Sequence, residues 1–221
     1  SLIEQIVSNH SSVYGGGELD ILPLAIANSN WEKNENFTDI IKSIRNEYLS
    51  KITQLSEKKF VTDKLPGNFR WIGFIFNALP EAKILHLERN PMAICWSIYK
   101  SEFNNPDMAF TYKQEFIAEF YLLYKDLMNF WKFKYPNQFI NIVYEEFIED
   151  YENNIKKIFQ KLELNWENHL LEFYKNKRPV ETSSFQQVRK KIYKNSSEEW
   201  KNYKTYLNPM MEILSKNNIK F

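Results

Sequence analysis

Residues 82–97 read AKILHLERNPMAICWS. Ala82–Arg89 is dense in Ile and Leu and short, as a buried strand is, and Asn90-Pro91 stops it. Proline has no backbone N–H and a fixed φ. Pro91 therefore suits the first turn of a helix, predicted to run to about Phe103. A strand that ends in arginine and passes at once into a helix is one β–α unit, and the pattern recurs on both sides. Downstream, a long helix is predicted over 111–135, a strand at FINIVY (139–144) and a helix over 148–162. Upstream, FVTDK (60–64) is a short strand closed by Pro66-Gly67, after which Asn68 is placed to cap a helix to about Leu79. Ile40, Ile44, Tyr48, Ile52 and Leu55 recur at helical spacing over 36–57. Val13-Tyr14 is a short strand entering Gly15-Gly16-Gly17, and Leu2–Val7 is a short amphipathic helix. Strands alternating with helices predict an α/β fold, a parallel sheet flanked by helices. With no internal repeat or linker-like segment, the 221 residues are taken as one domain, 1–221.

Composition removes several function classes. Apolar residues at 43% and aromatics at 16% exclude disorder as the overall state. Twenty-nine Lys and Arg against 28 Asp and Glu leave +1, so no nucleic-acid partner and no polybasic membrane clamp is expected. The single cysteine, Cys95, excludes a disulfide framework and a Cys-rich zinc site. The longest apolar run, around Trp71–Leu79, is too short to span a bilayer. No basic segment precedes an apolar one near Ser1, so a cytoplasmic chain without a signal peptide is expected, its true N-terminus open to lie upstream. Lys outnumbers Arg 24 to 5. An arginine here is thus more apt than usual to be used for its planar fork of donors.

In parallel α/β folds ligands bind beyond the carboxyl ends of the strands. Lys64, Arg89 and Tyr144 each fall at such an end, and Ser97 lies two turns into the helix after Arg89. Singly, each has an ordinary structural role: an ion pair, a solvated turn, a neutral helix residue. Together they describe a cationic, donor-rich rim suited to a nucleotide with several phosphates. His86, inside a strand, is expected to be a satisfied core histidine, and His10, at a helix end, ranks below Glu18 as a base. Phe116, Phe120, Leu123, Leu127 and Phe130 in the long helix are expected to be packing residues rather than an interaction module.

Five stretches in order, SLIEQIVSNHSSVYGGGEL (1–19), TDKLPGNF (62–69), AKILHLERNPMAICWS (82–97), VYEEF (143–147) and ETSSFQQVRKKIYKNSSEEWKNY (181–203), resemble the sulfotransferase family. The likeness is to the bacterial branch often fused to tetratricopeptide repeats and related to tyrosylprotein sulfotransferases. It implies a P-loop-kinase-like, three-layer α/β fold and the donor 3′-phosphoadenosine 5′-phosphosulfate, with no metal. It also implies that the family's first strand and 5′-phosphosulfate loop are missing, because only Ser1 remains where that loop should end. By the same likeness Glu18 matches the general base, Lys64 the lysine facing the leaving phosphate, and Ser184 a serine beside the transferring group. Arg89 and Ser97 match the 3′-phosphate motif, while Tyr144, Arg189 and Lys190 match further donor-binding positions. Asp20 stands where tyrosylprotein enzymes carry a cation, and Lys100 is the stand-in for an arginine expected at Ser101. The acceptor, a peptide tyrosine, a sugar or a small alcohol, is expected to be shaped by Ile21–Asn36 and Asn104–Lys113. A non-catalytic fold that binds a 3′-phosphonucleotide or a protein partner is the alternative. A P-loop kinase is disfavoured, since no GK[ST] loop occurs. A homodimer is left open.

Overall fold

The computed structural model describes residues 1–33, 35–103, 105–180, 186–193 and 195–221. It is mixed α/β and mostly helical, with parallel strands, as the alternation predicts. The described chain forms two compact units, each made of two segments: Ser1–Lys83 with Ile155–Lys191, and Ile84–Asn154 with Ile192–Phe221.

In the first unit, α1 (Leu2–Val7) leads to β1 (Val13–Gly15), then α2 (Ile21–Asn28), α3 (Phe37–Leu55) and β2 (Phe60–Thr62). A 3₁₀ segment, Pro66–Trp71, and α4 (Ile72–Ala78) follow. β1 and β2 pair in parallel, Val13 beside Phe60 and Gly15 beside Thr62. Parallel strands need a long crossover, here supplied by α2 and α3. Leu22, Ala25 and Ile26 of α2 pack against Ile40 and Ile44 of α3 and against Ala78 and Leu79. Asn36 caps α3 by accepting the Thr38 and Asp39 amides at 3.2 and 3.4 Å. Asn68 does not act as a cap. It lies inside the 3₁₀ segment and donates through Nδ2 to Asp63 Oδ1 at 3.3 Å. The helix α2 falls in the stretch Ile21–Asn36, which carries no secondary-structure expectation from sequence. Its burial against α3 is what makes it helical.

In the second unit, β3 (Ile84–Glu88) runs into α5 (Pro91–Tyr99). After a 3₁₀ segment, Pro106–Tyr112, come α6 (Gln114–Lys134), β4 (Phe139–Val143) and α7 (Tyr144–Glu149). α8 (Tyr151–Leu162) belongs mainly to the first unit, and α9 (Asn208–Lys216) closes the chain. β3 and β4 are parallel, Ile84 beside Phe139 and Glu88 beside Val143. The helix after Pro91 is one turn shorter than expected, ending at Tyr99, where the Lys100 amide closes on the Trp96 carbonyl at 3.0 Å. The helix expected over 148–162 is two helices broken at Asp150, whose backbone (φ −135°, ψ 59°) is not helical.

The long helix buries a different stripe from the one expected. Ile117, Ala118 and Tyr121 face the core with Met92, Cys95, Trp200 and Met210, and Met128 is buried further along the helix. Phe116, Leu123 and Phe130 are exposed, whereas Phe120, stacked on Phe110, and Leu127 are half-buried. Both stripes recur at helical spacing, so periodicity cannot choose between them, and the packing of α5 and α9 decides. No helix among the described residues is long and apolar enough to cross a membrane.

Candidate active site

In the first unit, two strand ends bring a carboxylate and an ammonium together. β1 ends at Gly15 and β2 at Thr62, and their parallel register carries both chains the same way. The Gly16 amide continues the pairing onto the Thr62 carbonyl at 3.0 Å, and the Lys64 amide donates to the Gly17 carbonyl at 2.8 Å. A Cβ on Gly16 would lie 2.5 Å from the Thr62 oxygen, so that position needs glycine, and Gly17 has φ +74°, which favours it. Beyond it, the Lys64 ammonium donates to Glu18 Oε1 in a direct ion pair.

Beneath this turn lies a pair that sequence reasoning missed. Glu4, buried in α1, accepts from the Gly17 amide at 2.8 Å and from the Thr62 hydroxyl at 3.1 Å. Its other oxygen accepts from Arg178 Nη2 at 2.8 Å. The scarcity of arginine was a usable signal for Arg178, but its partner lies 174 positions away. Asp63, between Thr62 and Lys64, accepts from the Tyr48 hydroxyl at 3.1 Å and from Asn68. Burial raises its carboxyl to about 6, against the lowering effect of those two hydrogen bonds.

In the second unit, Arg89 follows directly on β3. Its Nε donates to Ser197 Oγ at 3.1 Å and its Nη2 to the Ser196 carbonyl at 2.6 Å. The guanidinium lies 4.8 Å from the centre of the Tyr144 ring, and the Tyr144 hydroxyl meets Ser196 Oγ at 2.9 Å. Glu145 Oε1 accepts from Ser197 Oγ at 2.5 Å and from the Asn90 amide at 3.0 Å. The Asn90 side chain caps α5 through the Ala93 amide at 3.0 Å. Nη1 of Arg89 makes no hydrogen bond among the described residues, and the guanidinium acts electrostatically on the Glu199 carboxylate. Glu145 lies within VYEEF (143–147), and Ser196 and Ser197 lie within the stretch 181–203, but none of the three was singled out from sequence.

Ser97 lies in the last turns of α5, seven residues into the helix and not at its start, and its carbonyl accepts from the Ser101 hydroxyl at 2.7 Å. Arg189 and Lys190 are exposed in the first unit, and Arg189 Nη2 donates to the Arg178 carbonyl at 3.3 Å. Lys100 is held by both oxygens of Glu199 at 2.7 Å. Ser184 lies outside the described residues.

Both histidines weighed as bases are structural. His86 is bonded to the Tyr124 hydroxyl at 2.6 Å and to Asn141 Oδ1 at 3.3 Å. Burial lowers its pKa, helped by Lys132. His10 receives the Ser12 amide on Nδ1 at 3.0 Å, so its Nε2–H donates to the Asn165 carbonyl at 3.0 Å. Among the described residues no group of three or more His, Cys, Asp or Glu is disposed to hold a metal ion.

Comparison with known proteins gives a consistent picture. The profile described as "Sulfotransferase family" matches residues 1–168. An uncharacterized protein of Aquifex aeolicus (strain VF5) is 36% identical over 231 aligned positions, covering 97% of this chain and 30% of that protein. The chain therefore spans less than a third of that relative's length. Among solved structures, the sulfotransferase domain from the Synechococcus PCC 7002 olefin synthase has a TM-score of 0.70, covering all of this chain and 90% of that domain. The sulfotransferase domain from the curacin biosynthetic pathway has a TM-score of 0.63, covering all of this chain and 93% of that domain. Each is 15% identical, so they speak for the fold.

Proposed function

This chain belongs to the sulfotransferase family, and on that premise we propose that it moves a sulfuryl group from 3′-phosphoadenosine 5′-phosphosulfate to a hydroxyl acceptor. The observation that carries the reading is the contact between Glu18 and Lys64, a base and a cation delivered by neighbouring strand ends. In the transfer, the acceptor oxygen forms a bond to sulfur as the bond from sulfur to the 5′-phosphate oxygen breaks. Glu18 takes the acceptor's hydroxyl proton. Lys64 faces the oxygen on which negative charge grows, and charge stabilisation there is worth most in a water-poor site. Positioning supplies much of the rest, as in phosphoryl transfer.

Arg89, whose Nη1 makes no hydrogen bond among the described residues, is assigned to the 3′-phosphate together with Ser97. Tyr144 holds the guanidinium plane, Arg189 and Lys190 are further donor contacts, and Ser184 is assigned beside the transferring sulfuryl group. An arginine fork suits a terminal phosphate because two parallel N–H groups match two oxygens.

The test is to titrate the protein with adenosine 3′,5′-bisphosphate by calorimetry and to assay transfer of labelled sulfate to peptide tyrosine, sugar and small-alcohol acceptors. Binding with transfer is expected. Binding without transfer to any acceptor class would favour a non-catalytic nucleotide-binding member, and no binding at all would overturn the donor assignment.

A further inference from the structure

We propose that Glu4, locked by Arg178, is a positioning residue that holds the Gly15–Gly17 turn so that Glu18 meets Lys64. The inference rests on the transfer reading only for its effect on rate. Its structural content stands separately.

Glu4 is 6% exposed, and a buried carboxylate is tolerated only where its oxygens are satisfied. Among the described residues, its Oε1 partners lie at the ends of β1 and β2 and its Oε2 partner is Arg178. Oε1 takes the Gly17 amide at 2.8 Å and the Thr62 hydroxyl at 3.1 Å, so a single oxygen grips the chain just after β1 and the last residue of β2. Glu18 is the next residue after Gly17, and Lys64 is two residues after Thr62. The two peptide groups that flank the Gly17 Cα are therefore both held, the Gly17 N–H by Glu4 and the Gly17 carbonyl by the Lys64 amide.

Oε2 is held by Arg178 Nη2 at 2.8 Å, and Arg178 Nε donates to Gln5 Oε1 at 3.0 Å. Two successive residues of α1 thus receive one guanidinium fork. Gln5 is itself anchored, its amide donating to the Phe173 and Asn176 carbonyls at 3.1 and 2.9 Å. Arg178 also runs against Gly15, where a Cβ would lie 2.9 Å from its Cδ. The absence of a side chain at Gly15 admits the arginine, and the arginine in turn neutralises the carboxylate that shapes the turn. A pair serving stability alone would have no need to take a backbone amide adjoining Glu18. Apolar residues often replace buried ion pairs without loss.

The experiment compares wild type with Glu4→Gln and Arg178→Lys by amide hydrogen exchange resolved to single residues, and by transfer kinetics. Glu4→Gln keeps the size but turns an N–H donor toward Arg178 or toward the Gly17 amide. Exchange at Gly17 and Lys64 is expected to speed at least tenfold, with the β3–β4 amides unchanged. The turnover number should fall at least tenfold with the Michaelis constant for the donor unaltered. Combining the two substitutions should cost little more than the worse one alone, because the residues act as one unit. Unchanged exchange at Lys64 in both variants would overturn the inference, as would a uniform speeding across both units. Should Glu4→Gln fail to fold, Arg178→Lys, which keeps the charge and loses the fork, carries the same comparison. Local exchange effects in a protein that transfers no sulfate would leave the positioning role standing and defeat the function reading instead.

Discussion

The Glu18 carboxylate and the Lys64 ammonium are in direct contact across 46 residues of chain. Their side chains are 37% and 22% exposed, so solvent reaches the pair and screens it. Exposed pairs of this kind contribute about 0–1 kcal/mol to stability. Two strand ends, a glycine turn and a buried carboxylate nevertheless converge to form it, which points to the pair's chemistry as the reason for the arrangement.

Lys64→Met should therefore separate stability from activity. Its unfolding free energy is expected to change by less than about 1 kcal/mol, while sulfate transfer falls by roughly 10²–10³. Urea unfolding and a transfer assay on the same preparation check this. A loss of stability large enough to explain the loss of rate would refute it.

Arg89→Met should weaken binding of adenosine 3′,5′-bisphosphate by roughly 1.5–3 kcal/mol, the range for a hydrogen bond to a charged group. It should also release Ser196 and Ser197, which Arg89 bonds at 2.6 and 3.1 Å. Calorimetry would show the first effect, and faster proteolysis near residue 196 the second. Undiminished binding would remove Arg89 from the nucleotide site.

Gly16→Ala and Gly17→Ala should both destabilise the first unit, for different reasons. At Gly16 the new methyl meets the Thr62 carbonyl at 2.5 Å, an overpacking that costs about 1–3 kcal/mol. At Gly17 nothing lies within 4 Å, but φ is +74°, which costs an L-residue about 1–2 kcal/mol. Asparagine tolerates positive φ better than alanine, so Gly17→Asn should recover part of the loss while Gly16→Asn should not. Equal behaviour of the two asparagine variants in urea unfolding would contradict the local geometry.

Asp63 should give the stability an unusual pH slope. Burial raises its folded-state carboxyl to about 6, above the ordinary unfolded value of ~3.9. The folded form then holds the proton more tightly, so this stabilisation is fully present below about pH 4 and lost as pH rises through about 6. The difference amounts to roughly 1–3 kcal/mol. Asp63→Asn, which cannot titrate, should flatten the slope over that window, and denaturant unfolding at pH 4.5, 5.5 and 7 would show it. An identical slope in the variant would rule the effect out.

Cys95 should resist thiol reagents in the folded protein. It is fully buried beside Met92 and Ile117, and burial pushes its thiol up to about 12, leaving almost no thiolate at neutral pH. Labelling should proceed only at the rate of global unfolding. Rapid labelling without denaturant would show that the core around α5 opens.

Much of this protein is determined by local sequence. The β–α unit around residues 82–97, the glycine turn and the strand ends at Lys64, Arg89 and Tyr144 are legible because strand composition, Pro91 and clustered glycines act over a few residues. The tertiary structure alone decided which stripe of α6 is buried, since Phe116–Leu123–Phe130 and Ile117–Tyr121–Met128 fit the helical period equally well. It also decided that Asp150 divides α7 from α8, and that residues 21–28 are helical. Most of all, it brought Glu4 to Arg178 and Arg89 to Ser196 and Ser197. Buried polar groups must find partners wherever the fold places them, and the energy that pairs them depends on proximity in space, which no spacing along the chain records.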